Sequence, residues 1–91
     1  MLYSDYKNHP IKEVNPTLLW EYDLQNFDYH DMKKLVIQRV IERGWPNDFY
    51  AILNLYGLDG VKEAIKEIKS LNRKDKNFVS VVFEMTMIKA S

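Results

Sequence analysis

The chain has 91 residues, which is one domain with a modest core and no room for a second. Thirteen basic and thirteen acidic residues cancel, so no global field draws the protein to nucleic acid or to an anionic membrane. No cysteine is present, which excludes a disulfide framework, a thiolate nucleophile and Cys-ligated zinc. The 46% hydrophobic and 29% charged fractions are those of a globular protein.

Residues 1–14 read as a polar arm with scattered apolar groups (Leu2, Tyr3, Tyr6, Ile11, Val14), and residues 15–91 as a single helical domain. The arm shows no apolar h-region and no small-residue cleavage site, so a cytoplasmic location is expected. No apolar run approaches the roughly 20 residues of a membrane span, and no membrane association is expected. Asn15-Pro16 marks a helix start, with Asn15 as N-cap and Pro16 at N1. A short helix over residues 17–22 would set Leu18, Leu19 and Trp20 against the body.

Asp28 can cap a long helix from about Tyr29 to Arg43. Tyr29, Met32, Val36, Ile37, Val40 and Ile41 share one broad face of it, and Gly44 is placed at a left-handed C′ position. Trp45-Pro46 breaks the chain. A third helix from Asn47 or Asp48 to Tyr56 carries Phe49, Ile52, Leu53 and Tyr56 on one stripe. Gly57 ends it, and Asp59 caps a fourth helix from Gly60 to Leu71, whose stripe is Val61, Ala64, Ile65, Ile68 and Leu71. The short link makes helices three and four an αα-corner.

The final stretch, residues 72–91, reads two ways. Alternation of Val79, Val81, Phe83, Met85 and Met87 suits a strand, whereas Asn72 as N-cap with Leu71, Phe78, Val82 and Met85 suits a helix. A strand would lack a partner and leave an open edge, so helix is preferred. The expected fold is all-α, a compact bundle of four or five helices around a central αα-corner.

The reagents for catalysis are missing. His9 and His30 lie in different segments and outside any ligand spacing, and His30 beside Asp28 and Asp31 reads as a solvated capping turn. The serines have no elbow motif, and three glycines at turns cannot build a phosphate cradle. No catalytic residue, metal site or cofactor is expected. Glu21 and Asp23 could meet Arg39 or Arg43, either as an anion clamp or, preferably, as an intramolecular pair pinning the N-terminal segment.

Two surfaces remain. Trp20, Tyr22, Trp45 and Tyr50 cannot all be inside so small a domain, and exposed Trp and Tyr are favoured in interfaces. These four are therefore candidate partner-binding residues for another protein or a second copy. Lys62, Lys66, Lys69 and Arg73 recur at helical spacing with Lys76 beyond, a stripe that could meet phosphates. The alternative function is therefore a small DNA-binding regulator using the αα-corner.

The runs Leu18-Leu19-Trp20-Glu21-Tyr22-Asp23 and Val36-Ile37-Gln38-Arg39-Val40-Ile41-Glu42-Arg43-Gly44, then Asp48-Phe49, Tyr56-Gly57, Leu71-Asn72 and Phe78, resemble an uncharacterised family of small bacterial helical domains. Glu21, Phe49 and Asn72 depart from that family's usual Asp, Trp and Ser, each keeping an acid, aromatic or capping role. Members are often encoded beside nucleotidyltransferase-type abortive-infection toxins. The resemblance thus implies an antitoxin-like interaction module with such a toxin as partner. It also implies that Trp20, Arg39, Tyr56 and Gly57 are structural pins.

Overall fold

The computed structural model describes residues 3–84. Among them are three α-helices and two 3-10 helices, with no strand. A 3-10 turn at Tyr6–Asn8 lies in the arm and a second spans Pro16–Leu19. The α-helices are α1 (Lys33–Arg43), α2 (Pro46–Glu67) and α3 (Arg73–Val82). Helix α1 packs chiefly on α2 and also meets the second 3-10 helix and α3, while the arm lies on α2.

The all-α class holds, but the count is three α-helices, not four or five. The segments expected as helices three and four join into α2, interrupted only at Gly57 (φ 74°, ψ 161°). That dihedral pair is open to glycine alone, and it kinks α2 sharply, so the two helical halves of the expected αα-corner meet at Gly57, where the first was expected to end. Asn15 does cap its segment, accepting the Thr17 amide at 3.0 Å, but the result is one 3-10 turn rather than a docked α-helix.

The long helix also starts later than expected. The Asp28 carboxylate accepts the His30 and Asp31 amides, and this local turn occupies residues 28–32 before α1 begins at Lys33. Gly44 is extended (φ −74°, ψ 161°), not left-handed. Its role is room: a Cβ there would sit 2.5 Å from the Val40 carbonyl oxygen.

The core follows the apolar stripes. Val36, Ile37, Val40 and Ile41 of α1 are buried with Phe49, Ile52, Leu53, Val61, Ala64 and Ile65 of α2. Each large aliphatic side chain so enclosed contributes roughly 1.5–3 kcal/mol of transfer free energy. Ile68 and Leu71 are buried too, although both lie beyond the end of α2. The last segment is helical as far as Val82, with Asn72 accepting the Asp75 amide at 2.8 Å. It buries Val79, Val82 and Phe83, while Phe78 stays 38% exposed with its ring 5.5 Å from that of Phe49. Met85 and Met87 lie outside the described residues.

Candidate interaction surface

Trp45 is held by its backbone and released by its side chain. It is the N-cap of α2, extended at φ −101° and ψ 168°, with Pro46 in the first helical position. The Asp48 carboxylate accepts the Trp45 amide at 2.9 Å and the Asn15 amide at 2.8 Å. Asp48 is itself only 4% exposed, so it ties the start of α2 to the residue that opens the second 3-10 turn. The Trp45 side chain, 69% exposed, then borders an open groove of about 790 Å³ walled by Ile11, Val14, Pro16 and Pro46. Glu13, Asn15 and Asn47 supply polar groups to the same groove.

Trp20 is presented by a second anchor. Leu18 and Leu19 enter the core, and the Arg39 guanidinium of α1 donates to the Leu18 carbonyl at 2.9 Å and pairs with Glu21 at 2.7 Å. This is the intramolecular pin expected from the charge pattern. It fixes both sides of Trp20 and leaves the indole 75% exposed, not set against the body as the helical spacing suggests. Arg39 is therefore a pin, but Trp20 is not: its neighbours, not its ring, hold the turn.

The chain runs on through Tyr22, 37% exposed, and Leu24, 40% exposed, and is caught again where the Tyr56 hydroxyl donates to the Tyr29 carbonyl at 2.6 Å. Tyr22 meets Phe27 edge-on at 5.5 Å between ring centres. Tyr22, Phe27 and Met32 with Asp23, Asp28 and Asp31 border a hollow of about 340 Å³. The Asp31 and His30 amides hold the Asp28 carboxyl below the ordinary carboxylate range, so it is ionised at neutral pH.

Tyr50 stands apart from the other three aromatic candidates. Its ring stacks on His9 at 4.0 Å and meets Tyr3 edge-on at 5.3 Å. Its hydroxyl donates to Asp5 at 3.2 Å. The arm covers it. Asn54, one helical turn on, donates to the carbonyls of Tyr6, His9 and Ile11 at 3.2, 2.7 and 3.1 Å.

The basic stripe does not form as drawn. It requires one helix through Lys62, Lys66, Lys69 and Arg73, but α2 ends at Glu67 and Ile68 turns extended (ψ 112°). Lys62 and Lys66 remain on α2, Lys69 lies in the connection, and Arg73 and Lys76 belong to α3. The cause is the return of the chain. Ile68 and Leu71 enter the core from the connection, and α3 buries Val79 and Val82 in that same core, which a helix running straight on could not reach.

His9 and His30 remain in separate settings, His9 paired with Asp5 at 3.1 Å in the arm and His30 in the Asp28 turn. Among the described residues no group of three histidines or carboxylates is spaced to hold a metal ion. No described helix is long and apolar enough to cross a membrane. Motif reading does not find Asp48 and Asn54 as anchors, and although it notes Asp23 and the Asp28–Asp31 turn separately, it does not bring the three together. Two signals could have found part of this: an Asp at the third position of a Pro-started helix, and a stretch from Glu13 to Asp31 with five carboxylates and no Lys or Arg.

No curated protein and no solved structure matches the chain. One family model does, over residues 14–65, which is more than half of the sequence and takes in both tryptophans, α1 and most of α2. The chain therefore belongs to a family of unknown function, DUF6922.

Proposed function

We propose that the protein is a non-enzymatic interaction module that docks a protein partner through its exposed aromatics, Trp45 beside its groove and Trp20 on the pinned turn. One observation carries this reading: two tryptophans stand 75% and 69% exposed, while nineteen apolar residues among those described are buried. A Trp left in water forgoes the large apolar burial that makes it an anchor in interfaces. The backbone beside each indole is already held by hydrogen bonds, which supports the reading because less of the chain must be ordered on binding. The groove beside Trp45 is mostly apolar with a few polar groups, as docking sites are. A cytoplasmic, bacterial, antitoxin-like role with a nucleotidyltransferase-type toxin as partner is the form of this function that the sequence resemblance favours.

A photo-cross-linking amino acid in place of Asn47, on the groove beside Trp45, tests the reading in living cells. One protein should be captured in high yield, and Trp45→Ala should abolish capture without changing the melting temperature. Capture of nucleic acid alone, or of one protein equally in the Trp45→Ala variant, would refute it.

A further inference from the structure

The loop at residues 20–32 presents an apolar surface, Trp20, Tyr22 and Leu24, whose surrounding charge tells what can cover it. Asp23 accepts only neutral donors, the Gln25 amide at 3.1 Å and the Asn26 side-chain amide at 2.8 Å. Asp28 accepts the two amides of its own turn. Among the described residues no lysine or arginine forms an ion pair with Asp23, Asp28 or Asp31, whereas Glu21 is neutralised by Arg39. The next two lysines are engaged elsewhere. Lys33 sits 5.8 Å from the centre of the Tyr56 ring, and Lys34 pairs with Glu67 at 3.2 Å. Asp23, Asp28 and Asp31, none of them ion-paired with a described lysine or arginine and with His30 as the cationic group acting on Asp28, thus border one hollow together with the partly exposed Tyr22 ring, two residues from Trp20.

We propose that this aromatic surface docks a lysine- and arginine-rich segment of the protein partner, its cationic heads entering the hollow among Asp23, Asp28 and Asp31 beside Tyr22. The inference rests on the partner-binding reading and names the chemistry of that partner. Guanidinium and ammonium groups pair with carboxylates and lie over aromatic faces, while their aliphatic stems cover apolar surface such as Trp20 and Leu24. Among the described residues no three such carboxylates are grouped to hold a metal ion, whereas cations spaced along a chain need no common centre. A second copy is a poor match, because its own basic stretch, Lys62 to Lys76, is interleaved with Glu63, Glu67 and Asp75.

The test is anisotropy titration of a short labelled peptide of alternating lysine, arginine and glycine, beside a counterpart with glutamate for every basic residue. The protein is the full chain and a variant with Asp23→Asn, Asp28→Asn and Asp31→Asn, which keeps one acceptor oxygen at each position and removes the charge. The basic peptide should bind saturably and more weakly as salt rises, with about tenfold loss in the variant, and the acidic peptide should not bind. If the triple variant fails to fold, the Asp23→Asn and Asp31→Asn pair, which leaves the Asp28 turn intact, should still show a several-fold loss. Equal binding to wild type and variant, no saturable binding, or salt-sensitive self-association of the chain alone would overturn the proposal. A partner captured at the Trp45 groove equally by wild type and charge variant would overturn it too, and would leave the partner-binding reading standing.

Discussion

At the seam between the arm and α2, Tyr3, His9, Phe49 and Tyr50 close on one another, with Tyr3 stacked on Phe49 at 5.0 Å. In the 20–32 loop, Trp20, Tyr22 and Leu24 are of similar apolar kind and face solvent. Both regions are tied by polar anchors, Asn54 at the seam and Arg39 with Tyr56 at the loop. The difference lies in what the anchors grip. Asn54 grips the backbone of the arm that carries the rings, so the rings fold inward. Arg39 grips the residues on either side of Trp20, so the indole is pushed out. Aromatic content alone does not separate buried rings from exposed ones; the placing of the backbone anchors does.

The largest expected effect falls on Asp48. Asp48→Ala strands two partly buried amides, those of Asn15 and Trp45, and should cost about 3 kcal/mol in urea unfolding. Asn54→Ala should cost about 1–2 kcal/mol, because two amide protons serve three arm carbonyls that regain water once the arm lifts. Hydrogen exchange should then quicken over the arm and remain slow in α1. If exchange quickened equally in both, the seam would not be a separate unit.

A pH series sharpens the loop side. Burial holds the Tyr56 hydroxyl well above its ordinary value, aided by Tyr29 and Asp28 nearby. The folded state therefore keeps a proton that the unfolded chain loses near pH 10. The contribution is complete below about pH 10 and is lost as pH rises beyond it; Tyr56→Phe should be less stable at neutral pH yet lose less stability in base. The smallest effect is expected at the open aromatics: Trp20→Ala and Trp45→Ala should each shift stability by no more than about 0.5 kcal/mol. A loss of about 2 kcal/mol at either would show an indole serving the fold and would erase the contrast.

The apolar faces of α1 and α2 are legible because helical periodicity is a local property. Val36, Ile37, Val40 and Ile41 lie where their spacing puts them, and Asn15 and Asn72 cap as their positions suggest. The ends of elements are not legible, because tertiary burial decides them. No stop signal marks the end of α2, since neither Gly nor Pro follows Glu67; the helix ends there because the chain must turn back for α3 to reach the core. Asp28 is recognisable as a capping residue, but its two amides close a turn that precedes α1 rather than starting it. Among the surface candidates, composition requires that some aromatics lie outside. It does not show that the arm covers Tyr50, because that contact joins Asp5 to a residue 45 positions away.

The break at Gly57 bears on how this chain can change in length. One residue sets the angular phase of the second half of α2 relative to the first. An insertion between Leu58 and Val61 would swing Val61, Ala64 and Ile65 by about 100° out of the core. The 20–32 loop, outside the helices and clasped at its two ends, could absorb extra residues without that penalty. Relatives sharing the fold should therefore differ in length in the loop and keep the spacing from Tyr56 to Val61 constant.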